Sequence, residues 1–518
     1  MHISELTSEL NDLYREMVDK EQAIAKACDK VHSSYQLSAM NLWRYLLLRS
    51  RDLRKVHGEL SELGISSLRS PEAYVYKNVS SALRLLHLIH GNQWQPQTDI
   101  KAVGYRAGQK LLKEHTRLLF GKRKQRKSPH IMITMPTEAA EDFDLVRKLI
   151  KSGMTIARIN LGHDDPETWY KIGKNVTNAS KQSKVKCKIY VDLAGPKIRT
   201  GSIELVPKRR KKKKKKEKKL GKAPKPFIVL KEKDQLVLHR AAINGYPAVT
   251  DEEDKKTSPA GISVTLPNII DDAQVNDRIY FDDGKIACRV VKKSSSKLLL
   301  SVVRAGVLGS KLKAEKGINL PDTVLSTPSL TEADLANLDF VAKYADIVGY
   351  SFVRTSEDIR ELRKELKKRN AENIGLVLKI ENHQAFANLP FLLIEAMQQP
   401  PVGIMIARGD LAVELGFERV SEVQEQLLWL CEASHIPIIW ATQILENMAK
   451  KGLATRAEVT DAAMSSRAEC VMLNKGPFIA ETTKMLQGIL RRMEKHQAKK
   501  KNQLRALEIA RHAISRLK

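Results

Sequence analysis

Eight short apolar, β-branched runs recur between His130 and Gly476, with helix-length sequence between them, and nearly every run ends in polar or charged residues. They read IMITM, TIARINL, KIYVDLAG, DIVGYSF, IGLVLKIEN, VGIMIARGD, IPIIWATQ and CVMLNKG. Strands that stay apolar at consecutive positions are buried on both faces, the condition of a parallel sheet covered by helices. Eight of them close into a barrel whose chemistry collects at the strand C-termini. The expected fold is therefore α/β, a (β/α)8 TIM barrel over residues 128–201 and 316–492.

The alternation fails once. Between Gly201 and Lys316 the runs FIVL, QLVLH, DRIYFDDG and KLLLSVV follow each other without helical sequence between them. Residues 202–315 thus read as a small all-β domain inserted after the third barrel strand. Near its start lies a Lys-rich loop, 207–226, with thirteen basic residues against Glu217 between Lys208 and Lys225. Like charges repel, so the loop is predicted to be disordered.

Upstream, Ile3, Leu6, Leu10, Leu13, Met17, Ile24 and Val31 follow three- and four-residue steps, interrupted at Lys20. A second apolar helix is expected near Val79–Ile89. The stretch from Lys110 to Lys127 turns basic and reads as a linker. Residues 1–127 are expected to form a helical accessory domain for packing or oligomerisation. Residues 493–518 are expected to form a basic helical tail.

The net charge of +29 suggests anionic partners: phosphorylated substrates, nucleic acid or a membrane surface. The Lys-rich loop and the tail, which has ten basic residues against two acidic ones from Arg491 on, account for much of it. No apolar run reaches the roughly 18 residues of a membrane span. The polar N-terminus lacks a secretory apolar stretch, and five scattered cysteines form no CxxC pair. These features predict a cytoplasmic protein with reduced thiols and no membrane contact.

The strand ends carry the chemistry. They present Arg158, Asn160 and His163 after strand two, Asp192 after strand three, and Lys379, Glu381 and Asn382 after strand five. Arg408, Gly409 and Asp410 follow strand six, and Thr442 and Gln443 follow strand seven. Two carboxylates, Glu381 and Asp410, suit Mg²⁺, which keeps water and substrate oxygens in its octahedron. Lys379 and Arg158 are cations placed to meet a phosphate or an enolate oxygen, as phosphoryl transfer requires.

The motifs ARINLGHD, VDLAGPKIRTG, IYFDDG, KGINLP, SFVR, KIENH, ARGDLAVEL, ATQILENM and TRAEVTDAA resemble those of pyruvate kinases, in the same order, over roughly 130–492. The inserted β domain is similar to that family's lid. The resemblance implies a glycolytic transferase that moves phosphate from phosphoenolpyruvate to ADP, with Mg²⁺ (or Mn²⁺) as cofactor and a homo-oligomeric state. It implies catalytic roles for Lys379, Arg158 and Thr442 and metal binding by Glu381 and Asp410. Backbone amides at Arg408, Gly409 and Asp410, with Thr442 beside them, would bind the substrate. Arg158, Asn160 and His163 would bind nucleotide phosphates.

The sequence also departs from that family. Its potassium-ligating serine is Gly162, its threonine–lysine pair is Leu193–Ala194, its glutamate is Lys197, and its Ser-Gly-Glu motif is Asn474–Lys475–Gly476. With two potassium ligands gone, the Lys197 ammonium is expected to substitute for the monovalent cation, so K⁺ is not required. No counterpart of the family's C-terminal effector domain is found, which predicts no activation by sugar phosphates there. Two other readings compete. One is a catalytically silent relative that binds RNA or another polyanion non-specifically through Lys208–Lys225 and the tail. The other is a different enolate chemistry such as aldol cleavage, against which the lid domain argues.

Overall fold

A computed structural model describes residues 3–65, 68, 70–122, 128–203, 226–251, 256–494, 497–498 and 501–502. The eight expected strands are present as β1 His130–Thr134, β2 Ile156–Asn160, β3 Lys188–Asp192, β4 Ile347–Tyr350, β5 Gly375–Ile380, β6 Val402–Ile406, β7 Ile438–Trp440 and β8 Cys470–Leu473. They pair in parallel in chain order, and β1 also pairs with β8 (His130 opposite Cys470), which closes the barrel.

Side chains alternate along each strand, so every second residue enters the barrel. At the lower levels these are apolar: Met132, Ile156, Tyr190, Ile347, Val377, Met405 and Ile439 share one buried cluster. Two residues further up the same strands the series becomes Arg158, Asp192 and Lys379. The alternation that builds the core thus also delivers charged groups to the C-terminal rim.

The inserted segment forms a six-stranded sheet with a core of its own, around Leu236, Ile262, Phe281 and Leu300. Two paired crossings join it to the barrel: Thr200 N–H donates to Lys316 O (2.9 Å) and Ile318 N–H to Ile198 O (2.9 Å). The Lys-rich run lies outside the described residues.

Among the described residues the N-terminal part contains six α-helices, α1 Ile3–Asp19, α2 Glu21–Ala27, α3 Gln36–Arg49, α4 Arg54–Glu62, α5 Val75–Ile89 and α6 Tyr105–Phe120. The interruption expected at Lys20 falls between helices α1 and α2, and Leu6, Leu10, Leu13 and Met17 are buried within the chain. The boundary expected at 127 marks no break in packing, because one continuous apolar core joins these helices to the barrel's outer layer. Asn41 Nδ2 donates to Ala433 O (2.8 Å), and His435 bonds Ser38 Oγ (3.0 Å) and Ala73 O (2.9 Å).

The presumed linker is a correction. Residues 105–120 form helix α6, and its last turn plugs the barrel floor: Leu119 and Phe120 are buried among the lowest inward side chains. A Cβ on Gly375 or Gly403 would come within 2.6 or 2.5 Å of Leu119, so these two glycines make the space for the plug. Lys188 Nζ donates to Leu119 O (2.7 Å), meeting the negative end of the helix.

The expected helical tail is described only at its start. Helix Ile479–Met493 ends where the tail was to begin, and Gln497–Ala498 pairs antiparallel with Lys501–Asn502. The rest of the tail lies outside the described residues. Among the described residues no helix is long and apolar enough to cross a membrane.

Candidate active site

Arg158, at the second inward level of β2, donates through Nε to Asp192 Oδ2 (2.9 Å), through Nη2 to the same oxygen, and through Nη1 to Thr134 Oγ1 (2.9 Å). Asp192 is fully buried at the end of β3 and also accepts from Tyr190 Oη (3.2 Å). Burial pushes its pKa up, but Arg158 and Lys379 outweigh that and hold the carboxyl below its ordinary range. Gly349 on β4 makes this possible, since a Cβ there would fall 2.0 Å from Tyr190 Oη and 2.4 Å from Asp192 Oδ1.

Lys379 projects from β5 into the same cluster. Its Nζ lies 2.9 Å from Glu381 Oε1 and 3.5 Å from Asp192 Oδ2, and it donates to Ser351 Oγ (2.7 Å). Burial pulls its pKa down, but Asp192 and Glu381 prevail and keep the ammonium charged above the ordinary lysine value. Glu381 also accepts from the Phe352 amide (2.8 Å). The result is a buried, ordered cation at the barrel mouth.

Asp410 stands in the first turn of helix Arg408–Leu415 without capping it. Burial first, then the facing Glu381, pushes its carboxyl up to about 6. Two carboxylates that repel across a mouth otherwise rich in cations fit a hard divalent ion, which would relieve the repulsion. Glu414, one turn on, is raised to about 7, chiefly by burial, and accepts from Asn319 Nδ2 (3.2 Å) at the lid's return strand.

The guanidinium of Arg408 is committed elsewhere. It holds Asp461 at 2.6 and 2.8 Å, donates to the carbonyls of Ala441 and Thr442, and stacks on Trp440 at 5.3 Å. The backbone at Gly409 borders open space. The guanidinium also fixes Thr442, whose φ of +67° is costly for a β-branched residue and is followed by Gln443 at +58°.

On the opposite rim, Asn160 Oδ1 accepts from the Gly162 amide (3.0 Å). His163 is held below its ordinary pKa by burial first and then by Lys197 and Lys475. Lys197 Nζ lies 3.4 Å from where a Cβ on Gly162 would stand. Burial and Lys379 lower its pKa, against Glu381, Asp410 and Asp192. Asn382 takes a structural place instead, capping helix His383–Ala387 through the Ala385 amide (2.8 Å).

Residues 126–225 and 229–482 match the family model for the pyruvate kinase barrel domain. The chain belongs to the pyruvate kinase family. The pyruvate kinase of Geobacillus stearothermophilus is 33% identical over 365 residues, covering 69% of this chain and 55% of that protein. Pyruvate kinase PKLR of Rattus norvegicus is 32% identical over 369 residues, covering 69% and 58%. The chain spans a little over half the length of these curated relatives. A crystal structure of a pyruvate kinase from Cryptosporidium parvum shares the fold, with a TM-score of 0.60 and 24% identity over 73% of this chain and 70% of that one.

Against the pyruvate kinase pattern, two departures now have a physical setting. Gly162 stands beside the Lys197 ammonium, which lies 3.4 Å from where its Cβ would be, and it supplies no side-chain oxygen there. Gly476 lies so close to helix Glu446–Lys451 that a Cβ would fall 2.3 Å from Ala449 O, so the family's glutamate has no room on this path of the loop. Sequence reasoning missed Tyr190, Ser351 and Gly349. Tyr190 was findable, since it lies two residues before Asp192 on the same inward face.

Proposed function

We infer that the chain transfers the phosphoryl group of phosphoenolpyruvate to ADP, giving pyruvate and ATP, with Mg²⁺ or Mn²⁺ and without a monovalent cation. The observation that carries this reading is the buried Lys379 ammonium, held by Glu381, Asp192 and Ser351 at the mouth of the barrel. Preorganised charge of this kind stabilises a transferring phosphoryl group and the enolate left behind. Glu381 and Asp410 are the residues that would hold the metal, which when bound offsets charge on the phosphoryl oxygens.

The backbone at Arg408, Gly409 and Asp410, steadied by the Arg408–Asp461 pair, receives the substrate carboxylate. Thr442 stands beside it, near the enol carbon that takes the proton. Arg158, next to Lys379, meets the phosphoryl group as the phosphorus–oxygen bond to the enol breaks and the bond to ADP forms. Asn160 and His163, with the neighbouring Lys475, serve the nucleotide phosphates; a neutral imidazole there leaves the positive charge to the lysines. The lid closes over this mouth to exclude water. The protein works in the cytoplasm as a homo-oligomer.

Lys197 supports the potassium-independent reading. Its ammonium reaches the space over Gly162, near Asn160, and a tethered charge requires no ion binding. The test is a lactate-dehydrogenase-coupled assay with phosphoenolpyruvate, ADP and Mg²⁺ in tetramethylammonium buffer. Full turnover is expected without Na⁺ or K⁺. Lys197→Glu is expected to damage it, with only partial rescue by K⁺ because Gly162 and Leu193 supply no ligand oxygens. Absence of turnover by folded protein overturns the catalytic reading, and a tenfold stimulation of the parent by K⁺ overturns the role of Lys197.

A further inference from the structure

We propose that the groove between the outer barrel helices Phe143–Ser152 and Ile479–Met493 binds single-stranded nucleic acid through its phosphate backbone, without reading bases. A cavity of about 380 Å³ lies there, on the barrel's flank and away from the mouth, and Arg147, Lys148, Lys151 and Lys484 line it. Asp144 is the one acid in its lining, and Glu481 follows the lining residue Ala480 in sequence. Asp144 is answered by Arg147 (2.8 Å) and Glu481 by Lys148 (3.8 Å). Among the described residues neither Lys151 nor Lys484 has an ion-pair partner.

The helix period carries the basic wall onward. Lys484, Gly488 and Arg491 share a face, and Arg492 folds back so that its Nη1 donates to Gly488 O (3.0 Å). From Ala480 to Arg491 the wall runs about 16 Å at the helical rise, longer than one small anion needs. The lysines are exposed, and long solvated side chains suit release of counterions along a polymer better than the fixed geometry of a small-molecule pocket.

Two further observations narrow the partner. Neither helix carries an exposed large apolar side chain and Phe478, just ahead of the second, is a single exposed ring, less than a bilayer anchor requires. No aromatic side chain lines the groove, so its contacts fall on the phosphates, which carry no sequence information. At the groove's lower end Ser128 Oγ donates to Glu494 Oε2 (3.0 Å), bringing together two passages of the chain. The adjoining sequence is itself basic, with five cations in 122–127 and eight in 495–518.

The test is fluorescence anisotropy of a labelled oligouridylate with the full chain, over about 50 to 200 mM salt. The parent is expected to bind with a steep salt dependence. Lys151→Glu/Lys484→Glu is expected to bind at least about tenfold more weakly, with a log–log salt slope shallower by about 1.4, the loss of two phosphate contacts. Its circular dichroism and its phosphoryl transfer should match the parent. Unchanged oligouridylate affinity in this variant overturns the proposal. So does binding that depends only on 208–225 or 495–518 in deletion variants. So does groove-dependent binding of phosphatidylserine vesicles in the absence of oligouridylate binding.

Discussion

Lys379 sits between two carboxylates and a hydroxyl, and that arrangement separates its two contributions. Its charge balances Glu381 and Asp192 in the resting site, while Arg158 still pairs with Asp192 when Lys379 is removed. Lys379→Met is therefore expected to fold and to lose at least about 3 kcal/mol of transition-state stabilisation, more than a hundredfold in kcat. Steady-state kinetics beside a thermal melt would check this, and near-parent turnover would remove Lys379 from the chemistry. Asp410 plays a different part, facing Glu381 across the mouth. Asp410→Ala is expected to shift the Mg²⁺ activation curve to higher concentration, and an unmoved curve would take Asp410 off the metal.

At the level of elements, the barrel was legible because its two signals coincide: continuous apolar runs for burial on both faces, and charged residues at each run's end. The same signal exposed Arg158, Asp192, Lys379 and Glu381 before any geometry was known. Helix α6 was not legible in this way. Its sequence averages as basic, and only Leu119 and Phe120 at its end enter the barrel, too few residues to disturb a periodicity. The matching signal, Gly375 and Gly403 on neighbouring strands, lies more than 250 residues away in the chain and acquires meaning only once the barrel has closed. Leu119→Ala should cost about 2 to 5 kcal/mol, read as a lower urea midpoint, because it empties a site with no exposed surface. Its kcat should stay close to the parent's, since the plug lies at the end of the barrel opposite the site. A large loss of turnover at unchanged stability would show that the floor and the mouth are coupled.

Across the whole molecule, the join between the N-terminal helices and the barrel encloses a buried imidazole within its apolar core. His435 accepts from Ser38 and donates to Ala73, and burial pushes its pKa down to about 4, with His115 pushing the same way. In the unfolded chain it titrates near 6.5. The unfolded state therefore takes up the proton first. This stabilisation is complete above about pH 6.5 and is lost as pH falls toward 4, at most about 3 kcal/mol in all. Urea midpoints measured across that window should fall more steeply for the parent than for His435→Gln, and parallel slopes would exclude the imidazole as the source. The same join sets a timetable for synthesis. The bond from Asn41 to Ala433 spans 392 residues, so a ribosome adding about 5 to 20 residues per second releases the N-terminal helices some 20 to 80 s before their partner surface exists. Through that interval their apolar faces await the barrel, and the cell's chaperones have more occasion to meet this chain than one whose first helices pack against their immediate successors.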